Sequence, residues 1–437
     1  MRLVARQADI QVALTTLDEE GRGVGQADGL DVHVQGGLPG ERVRARIDHK
    51  SPHAPRAWAS LVTVEVPSPD RVAPACPAHP RCGGCVLQCL AYPAQLEAKR
   101  ARLTRALGRD DVEPVVPSPI QTHYRNKAKY VLGRAGGGLV LGSYAPGTHH
   151  LVDMRGCRVP EATAQAVAED VASRLAAAGL SVYDERRRTG ELRYLVVRAN
   201  HEGRTLVVVV TRTAGPRVTL AGLGVPLVHN VNPTTGGVLF GEDETVLSGP
   251  ALLPDRVGPV DLQLSARAFF QVHRLQAARL YAEVAAAAGT GRVVDLYSGV
   301  GGIALTLAAG GATVVGVEAY PPAVDDARRS AEAMGLGGRA HFELADAAAG
   351  LSRAAERLGA LDAVVVNPPR KGLHEGARAA LLASRPPRLV YVSCGPESLA
   401  VDLAALAPAY RTDRLLPFDL LPGTPHVETI AVLERIG

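Results

Sequence analysis

Cys394 stands in Tyr391-Val392-Ser393-Cys394-Gly395-Pro396, at the end of the apolar run Leu389 to Val392. The run reads as a buried strand. The serine, cysteine, glycine and proline that end it lift one thiol to the carboxyl edge of a sheet, where open α/β folds carry their chemistry. Three other segments have the composition of a site. Val293-Val294-Asp295-Leu296-Tyr297-Ser298-Gly299-Val300-Gly301-Gly302 reads as a strand running into a glycine-rich turn. Val364-Val365-Val366-Asn367-Pro368-Pro369-Arg370 reads as a strand that ends in a rigid loop, and His426-Val427-Glu428-Thr429 supplies a carboxylate. Read as one site, these are a thiol nucleophile, a cofactor cradle, a rigid Pro-Pro loop and a carboxylate.

The cradle points to a nucleotide-like cofactor. A glycine turn between strand and helix lets a ligand approach the backbone closely. Glu318, about 20 residues on, ends the next strand and can accept hydrogen bonds from ribose hydroxyls. NAD is the rival, but Gly299-x-Gly301-Gly302 does not meet its G-x-G-x-x-G fingerprint. Asp295 before the turn, with Asp346 and Asn367-Pro368-Pro369 later, favours the arrangement of S-adenosylmethionine (SAM) methyltransferases.

The elements that must position these groups follow from length and pattern. A chain of 437 residues predicts two or three domains, each able to bury a core. Residues 1–66 read as short alternating strands punctuated by glycines, which suits a small barrel. Arg42, Arg44 and Arg46 fall on one face of it. A proline-rich linker leads into residues 67–262, which mix strands with helices over Tyr92–Leu107 and Glu161–Ala178. From about 263 to 437, helices alternate with apolar strands such as Arg292–Leu296, Ala312–Val317, Ala340–Leu344 and Ala363–Val366. That alternation predicts a doubly wound parallel sheet with helices on both faces.

The net charge of +4 permits a nucleic-acid partner without requiring one. His123-Tyr124-Arg125-Asn126-Lys127-Ala128-Lys129-Tyr130 interleaves aromatics with cations, as phosphate contact and base stacking would need; a solvated basic strand fits the pattern nearly as well. Apolar runs such as Leu206 to Val210 are strand length, so no membrane span is expected. Met1-Arg2-Leu3-Val4-Ala5-Arg6 meets Gln7 and Asp9 too soon for a signal peptide, and a cytoplasmic address is expected. Six cysteines in such a chain are not a disulfide framework, and four of them crowd into residues 76–89. Cys76-x5-Cys82-Gly83-Gly84-Cys85 has metal-ligand spacing. Zinc and an iron–sulfur cluster both fit, and Cys89 and Cys157 both compete for the fourth place.

The stretch from Gly23 to Ile47, with Asp28-Gly29 and Gly37-Leu38-Pro39-Gly40-Glu41-Arg42-Val43, resembles the TRAM domain, an RNA-binding barrel of OB type. Over nearly its whole length the chain resembles the RNA (uracil-5-)methyltransferase family, in particular the 23S ribosomal RNA members that carry a TRAM domain and an iron–sulfur cluster. The resemblance implies a [4Fe–4S] centre on Cys76, Cys82, Cys85 and Cys157, and a C-terminal Rossmann-like domain that binds SAM. It places the helix at 92–108 as a candidate to pack on that domain. It assigns cofactor contacts to Gln271 in Phe269-Phe270-Gln271-Val272 and to Tyr297, Gly299, Glu318, Asp346 and Asn367. It assigns the nucleophile to Cys394 and the general base to Glu428. The expected partner is RNA, most simply 23S ribosomal RNA, with no membrane and a monomeric enzyme.

Two departures stand out. Relatives often carry Asp-Pro-Pro-Arg where this chain has Asn367-Pro368-Pro369-Arg370, and a polar side chain where it has Gly302. Asn-Pro-Pro is also the signature of enzymes that methylate exocyclic amines, which gives a rival activity. A transfer RNA uridine is the rival substrate, and a non-catalytic RNA-binding or assembly factor the rival outside enzymes. The thiol and the carboxylate decide for uracil. C5 of uracil is a poor nucleophile until a thiolate adds at C6, and a base must then remove the C5 proton. An amine methyltransferase needs neither group.

Overall fold

Residues 9–437 are described by the computed structural model; the segment Met1 to Arg6, read above for a signal peptide, lies outside them. Strands β1 (Asp9–Leu17), β2 (Gly23–Ala27), β3 (Leu30–Gln35), β4 (Arg42–Lys50) and β5 (Arg56–Val66) close into a barrel in the order β1-β2-β3-β5-β4. Alternation sends Val12, Leu14, Val32, Val34, Val43 and Ala45 inward. It sends Arg42, Arg44 and Arg46 outward. Acid sits among them: Arg46 donates to Asp9 at 3.0 Å and Arg42 faces Glu65 at 3.8 Å.

Helix α1 (Tyr92–Leu107) starts with Pro93 in its first turn and ends at Gly108, whose φ of 62° is the left-handed cap that glycine favours. Strands β6 (Lys127–Ala135), β7 (Gly138–Tyr144) and β8 (Leu151–Asp153) follow, then α2 (Ala162–Ala177), β9 (Leu192–Ala199) and β10 (Thr205–Thr211). Helix α3 (Arg217–Ala221), β11 (Leu227–Val231) and β12 (Asp243–Ser248) complete a seven-stranded sheet in the order β12-β11-β10-β9-β6-β7-β8. Helix α2 lays Ala164, Ala168, Val171 and Leu175 on one face of it.

Two expectations change here. Tyr124 and Tyr130 are 2% and 3% exposed, so the aromatics of the 123–130 stretch are core residues and offer no surface for base stacking. Tyr124 stacks on His273 at 5.0 Å instead. The expected boundary at 262/263 falls inside β14 (Val260–Ser265), which pairs with β13 (Leu252–Val257). Val257, Val260, Leu262 and Leu264 share a core with the C-terminal sheet, so that unit begins with the hairpin.

The C-terminal unit runs α4 (Arg274–Ala288), β15 (Arg292–Leu296), α5 (Gly302–Ala309), β16 (Thr313–Glu318), α6 (Pro321–Ala333), β17 (Ala340–Leu344) and α7 (Ala347–Leu358). It continues with β18 (Ala363–Val366), α8 (Glu375–Ser384), β19 (Arg388–Ser393), α9 (Pro396–Leu406), β20 (Tyr410–Phe418) and β21 (Glu428–Arg435). The sheet order is β17-β16-β15-β18-β19-β21-β20. β15 to β19 are parallel, as the alternation predicts, and the order reverses between β15 and β18. β21 runs antiparallel between β19 and β20. No helix among the described residues is long and apolar enough to cross a membrane.

Helix α1 joins the units. Leu103 packs into the C-terminal core. The Lys99 ammonium donates to Asp419 and to the Leu421 carbonyl, the latter at 3.2 Å, with both charged side chains fully buried. Tyr92 donates to the other Asp419 oxygen at 2.8 Å. A buried pair contributes little net, but losing one partner strands the other's charge. Lys99→Met is expected to cost about 3–5 kcal/mol in chemical denaturation, and Lys99→Met with Asp419→Leu to recover most of it. Equal losses in the single and double variants would refute this account.

Candidate active site

The carboxyl edge of the C-terminal sheet gathers the chemistry. Tyr297 to Gly302 follow β15, Glu318 ends β16, Asp346 follows β17, Asn367 follows β18 and Cys394 follows β19. Parallel strands all end at one edge, so residues scattered over about 100 positions meet there.

The glycine turn is built by backbone demands. Gly299 and Gly301 have φ of 53° and 85°, and Tyr297 adopts a left-handed φ of 61°. A side chain at Gly301 would meet the Phe342 ring at 2.8 Å, and one at Gly302 the Tyr281 ring at 2.8 Å. Packing against Tyr281 is therefore a physical reason for glycine at 302. Glu318 accepts from the Gly299 amide at 3.0 Å and the Tyr320 amide at 2.8 Å, so it also shapes the turn. Each of its oxygens keeps a second lone pair for a ligand hydroxyl. Asp346 caps α7 through one oxygen, at 3.0 and 3.1 Å from the Ala348 and Ala349 amides. The segment with Gln271 is held from the central sheet: Asn126 donates its side-chain amide to the Gln271 carbonyl at 3.0 Å and its backbone amide to Val272 at 2.8 Å.

Asp295 has a place in the sequence pattern but no role assigned by it. It is 1% exposed, its carboxyl has only the Ala304 amide as a nearby donor, too poorly aligned for a regular hydrogen bond, and the Ser298 hydroxyl has no partner. Burial pushes its pKa up to about 8. Unpaired polar atoms beneath a glycine cradle fit a site that a polar ligand completes.

Cys394 and Glu428 meet through strand register. β19 and β21 pair Val392 with Ile430 and Ser393 with Thr429, so the next antiparallel step sets Cys394 opposite Glu428. Burial is the main force on both. It pushes the Glu428 carboxyl up to about 7, with the Arg370 charge pulling the other way. It pushes the Cys394 thiol up to about 11, helped by the Glu428 charge and opposed by the charge and hydrogen bond of Arg370. Arg370 is thus the cation beside both groups, a role that the Pro-Pro-Arg sequence did not disclose. Asp402 pins the loop that carries it, accepting from the Leu373 amide at 2.7 Å and the Tyr391 hydroxyl at 2.6 Å. His426, two residues before Glu428, is driven down to about 4 by burial and by Arg370, Arg102, Lys99 and Arg125, so it is neutral.

The raised carboxyl has a pH signature. A carboxyl acting as a base must be ionised, so in that role Glu428 is expected to remove a proton about tenfold more slowly per pH unit below pH 7. The stability effect has the opposite sense. A carboxyl whose pKa is raised on folding favours the neutral form, so its contribution is full below about 4.5 and is lost as pH rises through about 7. Glu428→Gln is therefore expected to raise the melting temperature relative to the parent at pH 8 and not at pH 4. A gain of the same size at both pH values would contradict the shift.

Cys89 is 1% exposed and packs with Leu17, Leu38, Leu87 and Leu90. The Cys85 thiol is pushed up to about 12 by burial first, then by the neighbouring Cys157, with Cys82 and Cys76 adding to it. Among the described residues, no three His, Cys, Asp or Glu side chains are grouped to hold a metal ion. A cavity of about 750 Å³ lies elsewhere, between the barrel and α1, lined by Thr15, Pro39, Asp70, Glu97, Arg105 and Pro117.

Comparison with known proteins places this architecture. A family model described as tRNA (Uracil-5-)-methyltransferase matches residues 276–436, which hold the cradle, Cys394 and Glu428. An uncharacterized RNA methyltransferase of Geobacter sulfurreducens is 38% identical, over 98% of this chain and 90% of its own length. One from Bacillus cereus is 34% identical over 99% and 98%. The crystal structure of Pyrococcus abyssi tRNA (uracil-54, C5)-methyltransferase in complex with S-adenosyl-L-homocysteine superposes with a TM-score of 0.80. It is 30% identical, covering 97% of this chain and 99% of that one. On these grounds the chain is an RNA methyltransferase enzyme and belongs to the RNA (uracil-5-)methyltransferase family.

Proposed function

We propose that this enzyme methylates C5 of a uridine in structured RNA, with SAM as methyl donor, Cys394 as nucleophile and Glu428 as base. The observation that carries the reading is the β19–β21 register, which pairs Ser393 with Thr429 one step before Cys394 and Glu428. The target base lies in folded RNA and must be extruded to reach Cys394. The Cys394 thiolate adds to C6 and pushes its electron pair through C5 into an enolate. C5 then displaces the methyl group from the sulfonium, leaving S-adenosylhomocysteine. Glu428 takes the C5 proton, the C5–C6 double bond re-forms and the thiolate leaves. SAM supplies an electrophilic methyl; Tyr297, Gly299, Glu318, Asp346, Asn367 and Gln271 are the residues assigned to hold it.

We assign the RNA to 23S ribosomal RNA, on the sequence resemblance to the members that combine a barrel with the Cys76, Cys82, Cys85 and Cys157 spacing. A transfer RNA uridine is the second reading, favoured by the likeness to the Pyrococcus abyssi tRNA (uracil-54, C5)-methyltransferase. Mass spectrometry of RNA from a deletion strain separates them. Loss of 5-methyluridine from 23S RNA supports the first and loss from transfer RNA alone the second. Loss of a methylated amine in place of 5-methyluridine would overturn both.

Those four cysteines would hold a [4Fe–4S] cluster, a soft-ligand site of matching donor type. Methylation requires no electrons from such a cluster, which would serve as a clasp between residues 72 positions apart, Cys85 and Cys157. Cys157→Ser is expected to lower iron and sulfide per chain and the melting temperature, whereas Cys89→Ser keeps its iron. A full iron complement in Cys157→Ser would remove that residue from the set.

A further inference from the structure

Nucleophile and base lie on different segments, and each segment has an anchor outside the sheet. Cys394 is followed by Gly395 and by α9, whose first turn carries Glu397. Glu428 is preceded by the loop 419–427. Arg102 of α1 reaches both. Its Nε donates to Glu397 at 3.1 Å, and its Nη2 to the two Glu397 oxygens at 2.9 Å each. Its Nη1 donates to the Pro425 carbonyl at 3.3 Å, three residues before the base, and to the Glu19 carbonyl of the barrel at 3.4 Å.

The surroundings make the loop dependent on such anchors. The Gly423 amide donates to the Gln95 side chain of α1 at 2.9 Å, and the Gly423 carbonyl accepts from Leu87 at 2.9 Å. Tyr124 donates to the Pro422 carbonyl at 3.2 Å. The loop that leads into Glu428 is thus shaped by the first third of the chain. Among these anchors Arg102 alone also bonds the nucleophile's segment. A planar fork of five donors can serve three acceptors in fixed directions, which an ammonium on a flexible stem cannot.

We propose that Arg102 is a positioning residue for the reaction, one guanidinium that fixes the thiol segment and the carboxylate segment beyond the end of the β19–β21 pairing and ties both to the barrel. The inference rests on the reading of Cys394 as nucleophile and Glu428 as base. It gives the barrel a mechanical link to the site, since docking of the turn around Glu19 and the seating of Pro425 share one side chain.

Two measurements on the purified full chain test it. The first needs no RNA: iodoacetamide labelling of the Cys394 peptide, followed by mass spectrometry between pH 7 and 10. The charged and titratable groups facing this thiol are Glu428, Arg370 and Tyr391. Glu428→Gln removes the negative neighbour and is expected to speed labelling about tenfold at pH 8. In an Arg102→Met background the same change is expected to have less than half that effect, because beyond the β19–β21 pairing Glu397 and Pro425 lose the side chain that fixes them. An undiminished effect would overturn the proposal. The second is turnover. Arg102→Met is expected to lower kcat about tenfold or more, with SAM affinity and the KM for RNA little changed. Slow proton removal should leave an enzyme–RNA adduct visible on a denaturing gel, which a merely destabilised enzyme would not form. A loss confined to KM would make Arg102 an RNA contact and refute the positioning role. Arg102→Lys keeps the charge without the fork and is read in both assays should Arg102→Met not fold. If the parent enzyme makes no 5-methyluridine, the uracil reading falls, and the labelling experiment still decides on Arg102.

Discussion

Cys394→Ala is expected to abolish methyl transfer, by at least about a thousandfold in kcat, while SAM binds with unchanged affinity. C5 of a free uracil carries too little electron density to displace a methyl group from a sulfonium. Only the covalent bond at C6 makes it an enolate carbon. The thiol sits after β19, whereas the cradle sits after β15 and β16, so removing one sulfur leaves the cofactor residues in place. The side chain is half-buried at the sheet edge, and alanine there leaves no large cavity. Calorimetry with SAM and a tritium-release assay on 5-tritiated RNA check the two halves separately. Turnover within tenfold of the parent would remove the covalent step from the mechanism, and lost SAM binding would mean that the thiol supports the cradle.

Glu428→Gln is expected to fail later in the cycle. The amide keeps the size of the carboxyl but cannot take a proton, so addition and methyl transfer proceed once and the C5 proton stays. The enzyme then remains joined to methylated RNA. A denaturing gel should show nearly stoichiometric adduct, and steady-state turnover should fall about a hundredfold or more. The charge change works in the same direction. Glu428 raises the Cys394 pKa, so removing its charge favours the thiolate and the attack at C6. Faster addition with blocked release is a combination that simple misfolding does not produce. A variant that turns over normally and gives no slow band would take Glu428 out of the role of base.

Much of this was legible in the primary structure, for a local reason. Strand and turn chemistry is written in neighbouring residues: the apolar runs before Asp295, Asn367 and Cys394 mark strands that end at one edge, and Gly299 and Gly301 mark a turn whose positive φ favours glycine. The alternation of helices and strands dictates a parallel sheet, and with it the meeting of those ends. Arg42, Arg44 and Arg46 face outward for an equally local reason, the period of two along a strand.

What the chain could not show by itself depends on which face is buried and what lies across a gap in sequence. The alternation of Tyr124, Lys127, Lys129 and Tyr130 reads as a nucleic-acid surface, yet the tyrosines belong to the core, because burial is set by α2 and by His273. The boundary at 262/263 divides a hairpin whose inward residues pair with helices that come later in the chain. β20 and β21 carry no alternation signal that separates them from buried helix, and only their antiparallel pairing sets Glu428 opposite Cys394. Arg370, Asp402 and Arg102 are ordinary charged residues in the sequence. The sequence determined the α/β class and the glycine turn, because those are matters of residue type and period. The spacing of the thiol and the carboxylate, their shifted protonation and the hold of α1 on both were decided in three dimensions, because charge and burial act through space and not along the chain.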